Sequence, residues 1–311
     1  MNSLFIEEKE LDALMKSIQP YAKKGSMPEY IPELNKMDPD LFGCAICNED
    51  SMTAAGDADY LFTLQSVSKV ISLALSLMDQ GEEVVFSKVG MEPTGDPFHT
   101  IHALEEEKPS KPLNPMINAG AIAVTSLIAG KSGEEKIGRL LTFIHELTGN
   151  PAISICEKTA RSEKENADLN RALSYFMKSH QVIDGDMESL LDVYIKQCSI
   201  QMNCKDLARI GSIIGKKGRD PNSGRNIIPP RIARIVKTFM VTCGMYNASG
   251  EFAIRAGVPA KSGVSGAMLG ALPDGTGIGI ISPPLDKKGN SAAGLKLLET
   301  LSQKYKWSIF T

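Results

Sequence analysis

Apolar residues at Leu11, Leu14, Met15 and Ile18 recur at helical spacing and stop before Pro20, predicting an amphipathic opening helix that covers a sheet. Residues 41–47 and 60–64, with Gly56-Asp57 between them, read as short strands joined by turns. The pattern then changes. From 66 to 77 the chain is apolar nearly all round, with Val67, Val70, Ile71, Leu73, Leu75 and Leu77, which predicts a helix buried inside the protein. Helical periodicity continues over 118–129, 134–147, 163–177, 187–198, 205–214 and 231–240. Strand patterns return at 267–272 and 276–281, flanking the turn signal Pro273-Asp274-Gly275, and 292–301 reads as a closing helix. Strands near both ends with helices between them predict an α/β (α+β) fold: one antiparallel sheet built from both chain ends, a helical lobe inserted between, and a cleft where they meet. The expected organisation is a single domain, with a sheet lobe over 1–64 plus 245–311 and a helical lobe over 65–244.

At 311 residues, 42% apolar and 23% charged, the chain has the means for a substantial core. Its 34 basic and 37 acidic residues leave a formal charge of −3 without a long Lys/Arg run, so the electrostatic footprint of nucleic-acid binding is missing. Residues 1–10 lack the basic-then-apolar order of a signal peptide, and no apolar stretch is long enough to span a bilayer. The expected compartment is therefore the cytoplasm, with no membrane partner. Six cysteines spread through such a chain read as reduced thiols. Cys44 and Cys47 alone have metal or redox spacing, yet a strand there aims their sulfurs at opposite faces and no second pair completes a zinc site. Both read as core.

Four histidines without a His-Glu-x-x-His pair give no support to a bound metal. A Gly-x-Ser-x-Gly elbow, a phosphate loop and a dinucleotide fingerprint are also missing. What remains is Ser66-Val67-Ser68-Lys69, the only Ser-x-x-Lys in the chain, at the start of the buried helix. Residues three apart share a helical face, so the Lys69 amine can reach the Ser66 hydroxyl. Serine needs a base in order to attack, and lysine serves as one once desolvation brings its pKa toward neutrality; the apolar flanks supply that desolvation. The helix N-terminus favours negative charge developing on Ser66. The alternative is a plain helix cap at Ser66. Downstream, Lys261-Ser262-Gly263 precedes the hairpin, in the order and strand context that pair Ser-x-x-Lys with Lys-Thr-Gly in penicillin-recognising serine acyl enzymes. Gly263 permits close backbone approach, and the N–H groups of Val264 and Ser66 can form a two-donor oxyanion hole. The alternative there is a loop lysine beside a turn glycine.

The segments Tyr30-Ile31-Pro32-Glu33-Leu34, Phe62-Thr63-Leu64-Gln65-Ser66-Val67-Ser68-Lys69, Asn114-Pro115-Met116-Ile117-Asn118-Ala119-Gly120, Ser162-Glu163, residues 194–200, Met245-Tyr246 and Ala260-Lys261-Ser262-Gly263-Val264 follow one another in order across almost the whole chain. Together they resemble the serine-dependent glutaminases, in the compact bacterial form without an ankyrin-like tail or long leader. The resemblance implies a β-lactamase/transpeptidase-like fold and a hydrolase that converts L-glutamine to L-glutamate and ammonia through an ester on Ser66, with no metal or organic cofactor. In its terms Lys69 takes and returns the Ser66 proton, Tyr30 and Tyr194 shuttle protons toward the leaving amine, and Val264 helps to bind the oxyanion. Glu163 holds the substrate ammonium, Asn118, Asn170 and Tyr246 hydrogen-bond the amino-acid end, and Gln65 and Lys261 line the pocket. Read without the resemblance, the tyrosines are buried rings, Asn118 is a cap, Glu163 a solvated first-turn acid and Asn170 a surface residue.

The same resemblance implies a homo-oligomer, dimer or tetramer. One rival reading is a β-lactam or D-alanyl peptide hydrolase on the same scaffold, opposed by the missing export signal and the missing Ser-x-Asn or Tyr-x-Asn triplet. Another is a non-catalytic glutamine-binding protein, opposed by the intact Ser66, Lys69 and Tyr194.

Overall fold

The computed structural model describes residues 6–29, 31–48, 51–94 and 111–310. Among these the strands are β1 (Gly43–Cys47), β2 (Met52–Gly56), β3 (Phe62–Thr63), β4 (Ser154–Ile155), β5 (Ile200–Met202), β6 (Ala260–Ser262), β7 (Ala267–Ala271) and β8 (Gly277–Ile281). The main sheet runs β2-β1-β8-β7-β6, antiparallel throughout. Its two halves come from opposite ends of the chain and meet at the β1–β8 pair, where Gly43 faces Ile281 and Ala45 faces Gly279.

Alternation along the strands divides the core between the two faces of this sheet. Cys44, Ile46, Met268, Ile278 and Ile280 pack with Leu11 and Met15 of the Glu8–Ile18 helix and with Leu297 and Leu301 of the Ala292–Tyr305 helix. Ala45, Cys47, Leu269 and Ile281 belong to the larger core on the other face, which the helices between the two halves fill. Cys44 and Cys47 thus fall in separate cores as free thiols. The Cys204–Gly215 helix lies directly on β8, because a Cβ at Gly277 would stand 2.0 Å from the Ala208 carbonyl oxygen and one at Gly279 2.2 Å from that of Cys204. Glycine is what permits that approach.

The opening helix, the Met187–Cys198 helix and the β7–β8 hairpin, with Gly275 at φ 97°, fall where the periodicity places them. Three expectations change. The strand read over 60–64 contracts to β3, which pairs into a second sheet, β3-β5-β4, whose strands of two or three residues are too short to display alternation. The single helix read over 163–177 is two, Glu157–Glu165 and Asp168–Ser179, separated at Asn166, whose side-chain amide donates back to the Ser162 carbonyl at 2.8 Å. The buried helix runs Ser68–Lys88, beyond residue 77, and is interrupted by non-helical Gly81 at φ 81°. No helix among the described residues is long and apolar enough to cross a membrane.

Candidate active site

β3 leads into a 3-10 turn, Gln65–Val67, that runs straight into the Ser68–Lys88 helix. The N-cap of that helix is Val67, and no side chain caps it, so the cap alternative for Ser66 falls. The turn is held from several sides. Leu64 N–H donates to the Ile200 carbonyl at 2.8 Å. The Ser265 hydroxyl donates to the Thr63 carbonyl, and the Ser68 hydroxyl to the Gln65 carbonyl, both at 2.7 Å. Gln197, wholly buried on the Met187–Cys198 helix, donates to the Ser68 and Ser72 hydroxyls at 3.3 and 3.1 Å and accepts from Thr125 at 2.9 Å. This satisfied polar network fixes a backbone that needs fixing, since Gln65 has φ 48°, the left-handed region that strains a non-glycine residue. Gly263 closes the other side: a Cβ there would lie 2.7 Å from the Leu64 carbonyl oxygen. The end of β6 therefore presses on the turn, and Val264 packs beyond it with Ile31, Leu34 and Tyr246.

Lys69 is 1% exposed. Its ammonium donates to the Met116 carbonyl at 3.0 Å and to Asn118 Oδ1 at 2.7 Å, and none of its described hydrogen bonds is to Ser66. Asn118 extends the chain by donating from Nδ2 to Asn170 Oδ1 at 3.0 Å. Desolvation dominates Lys69 and brings its pKa down to about 8, against the opposing pull of Cys198 and Glu163. Glu163 lies on the last turn of its helix and is buried, so the solvated first-turn reading is corrected; the helix starts six residues earlier than its periodicity shows. Desolvation raises its carboxyl to about 7, opposed by the Gln65 amide at 3.4 Å and the Lys69 charge. Lysine and glutamate are thus both driven toward their neutral forms by the same dry surroundings.

Tyr194 and Tyr246 are both buried. Burial, the largest cause, pushes the Tyr194 phenol well up, and the Cys198 thiol and Glu163 carboxylate push it further. Tyr246 has φ 51°. Its hydroxyl donates to the Ser262 carbonyl at 3.2 Å and is in hydrogen-bond contact with Ser66. Lys261 has no exposed surface, and its ammonium donates to that same Ser262 carbonyl at 2.6 Å.

The fold accordingly gathers Ser66, Lys69, Gln65, Asn118, Glu163, Asn170, Tyr194, Tyr246, Lys261 and Val264 into one contiguous set. Tyr30 lies outside the described residues. Two members escaped sequence reasoning. Gln197 supports the nucleophile turn, and Cys198 stands in hydrogen-bond contact with Tyr194, Glu163 and Ser68. The i, i+4 spacing of Tyr194 and Cys198 places both on one helical face, but a cysteine on an apolar helix ordinarily reads as core.

A family model described as Glutaminase matches residues 25–310. Glutaminase 1 of Halalkalibacterium halodurans is 59% identical over 305 residues, spanning 98% of this chain and 99% of that protein. Two solved structures from Bacillus subtilis are each 37% identical with a TM-score of 0.89: a probable glutaminase complexed with 6-diazo-5-oxo-L-norleucine, covering 100% of both chains, and a glutaminase in covalent complex with 5-oxo-L-norleucine, covering 97% of this chain and 99% of that one. These neighbours share the serine β-lactamase-like architecture described above, including the antiparallel sheet and the helices over its face. Sequence and fold agree over nearly the whole length, and the chain belongs to the glutaminase family.

Proposed function

We propose that the chain hydrolyses the side-chain amide of L-glutamine in two steps on Ser66. In the first, Ser66 Oγ adds to the amide carbon while its proton passes to Lys69. The C–N bond then breaks, the nitrogen takes that proton and leaves as ammonia, and a glutamyl ester remains. In the second, water adds to the ester carbon as its proton passes to Lys69; the ester C–O bond breaks, the proton returns to Ser66, and L-glutamate departs. The N–H groups of Ser66 and Val264 hold the oxyanion of each adduct. Glu163 receives the substrate ammonium, with Gln65 beside it. Tyr194 and Tyr30 are read as proton relays to the leaving nitrogen.

The observation that carries this reading is Lys69, a lysine almost wholly buried and brought down to about 8, three residues from Ser66 at the mouth of one helix. The covalent complex of the Bacillus subtilis glutaminase with 5-oxo-L-norleucine, a ketone of glutamine's length, agrees with a reactive nucleophile placed beside a glutamine-sized ligand in that protein. Asn118 is engaged at both ends of its amide, so we read it as holding Lys69 as well as meeting substrate, and Tyr246 as orienting the Ser66 hydroxyl as well as meeting the amino-acid end. A cytoplasmic homo-oligomer is proposed as the working form on the family resemblance. Ammonia release from L-glutamine tests the assignment: Ser66→Ala is expected to lose about 10⁴-fold or more in kcat while still binding L-glutamate in calorimetry. Retention of activity within tenfold of the native chain would reject it.

A further inference from the structure

Lys261 is fully buried, and among the described residues the ionisable groups acting on it are Lys69, Cys243 and Cys198 rather than a carboxylate. Burial and the nearby Lys69 charge both push its ammonium well below the usual lysine range. Such a group is costly to keep in a core unless its hydrogen bonds do something there. Its ammonium meets two things. One is the Ser262 carbonyl at 2.6 Å; the other is the face of the Tyr246 ring, with the centroid 4.4 Å away. The Tyr246 hydroxyl donates to that same carbonyl at 3.2 Å. A carbonyl oxygen has two lone pairs, so it takes both donors. A phenol has a single proton, and once Tyr246 has given it to Ser262, the oxygen's lone pairs are what it offers to Ser66.

The backbone around this unit has little room to shift. Ser262 N–H donates to the Gly244 carbonyl at 3.1 Å, and a Cβ on Gly244 would fall 1.8 Å from the Ala260 carbonyl oxygen, so β6 and the chain just before Tyr246 are in direct backbone contact. Tyr246 itself sits at φ 51°, a conformation that a bulky residue keeps only where its surroundings impose it. Among those surroundings, Lys261 meets the ring face and Ser262 the hydroxyl.

We propose that Lys261 is a positioning residue, holding the Tyr246 ring and hydroxyl through the shared Ser262 carbonyl so that Tyr246 fixes the line along which the Ser66 hydroxyl attacks. In this role it acts on the reaction through Tyr246. The hydrogen bond to Ser262 is made by either protonation state of the amine, so the role does not depend on its charge. The inference rests on Ser66 being the nucleophile.

The test is a double-mutant cycle in steady-state kinetics on L-glutamine, using the native chain, Lys261→Met, Tyr246→Phe and the double variant, each first shown to melt cooperatively. Lys261→Met is expected to lower kcat at least threefold, on the order of 10- to 100-fold for a misaimed nucleophile, with KM within threefold of native. The double variant is expected within threefold of Tyr246→Phe alone, because the lysine acts only through the ring. A kcat loss under threefold, a raised KM with kcat intact, or losses that multiply in the double variant would each overturn the inference. If Lys261→Met does not fold, Lys261→Arg is read in the same cycle: a loss absent from the Tyr246→Phe background supports the role, and an equal loss in both backgrounds removes it. Activity persisting in Ser66→Ala would reject the underlying reading instead, while an inactive Ser66→Ala beside an unimpaired Lys261→Met would reject the lysine's role alone.

Discussion

Two groups of cations in this molecule have opposite surroundings. In the groove lined by Tyr21, the Ser249–Arg255 helix and the Ala292–Tyr305 helix, the cations reach water and have partners of opposite charge or a ring: Lys288 and Arg255 meet Glu251 at 3.0 and 2.7 Å, Lys296 meets Glu299 at 3.5 Å, and Lys24 stands 4.2 Å over Tyr21. Around Ser66, Lys69 and Lys261 are cut off from water and donate to carbonyl and amide oxygens. Among the described residues the carboxylate acting on Lys69, Glu163, is itself driven toward its acid form by burial. Exposed pairs such as those in the groove add little to stability and hold little chemical potential. Withheld hydration, rather than the presence of a charged residue, is what makes an amine into a base.

The largest expected effect follows from removing that base. Lys69→Met is expected to lower kcat/KM for L-glutamine about 10³-fold, and a loss under tenfold would erase the contrast between the two groups. The next is pH. Activity needs Lys69 unprotonated and Glu163 ionised, so with values of about 8 and about 7 in the free enzyme, kcat/KM rises with pH across this window. Between pH 8 and pH 6 it is expected to fall roughly 100-fold or more, steepening below 7, and a flat profile would count against desolvation as the cause. Glu163→Gln is expected to raise KM about 10- to 100-fold with a smaller change in kcat, since a charge-assisted contact with the substrate ammonium is replaced by a neutral one. An unchanged KM would take Glu163 out of that role. The smallest effect sharpens the contrast from the other side: Lys288→Ala in the solvated groove is expected to leave kcat/KM within about twofold and the melting temperature within a few degrees.

Three strands of the main sheet, β1, β7 and β8, were legible because their signals are local, whereas the edge strand β2 went unread. Pro273-Asp274-Gly275 marks the hairpin, and apolar runs near both ends mark strands that pair with each other. Ser66 and Lys69 were legible as a motif by their spacing of three, but Ser66 sits in the 3-10 turn ahead of the helix, and the described hydrogen bonds of Lys69 go to Met116 and Asn118 instead. What the sequence hides depends on partners far along the chain. Gln197 is a structural residue only because Ser68, Ser72 and Thr125 arrive beside it, and Cys198 only because Glu163 does. The left-handed backbone at Gln65 and Tyr246 carries no glycine to announce it, since tertiary contacts impose it. Asn118 was legible as part of the site but not as the acceptor for Lys69, because that contact is set by where the Asn118–Ser126 helix begins against the Ser68–Lys88 helix.

The central claim is that burial turns Lys69 into a base, and its titration can be followed directly. Chain labelled with ¹³C at lysine Cε, with Lys69 identified by the resonance lost in Lys69→Met, is expected to show a midpoint near 8 for this residue. A midpoint near the ordinary lysine value of 10.5 would contradict the account.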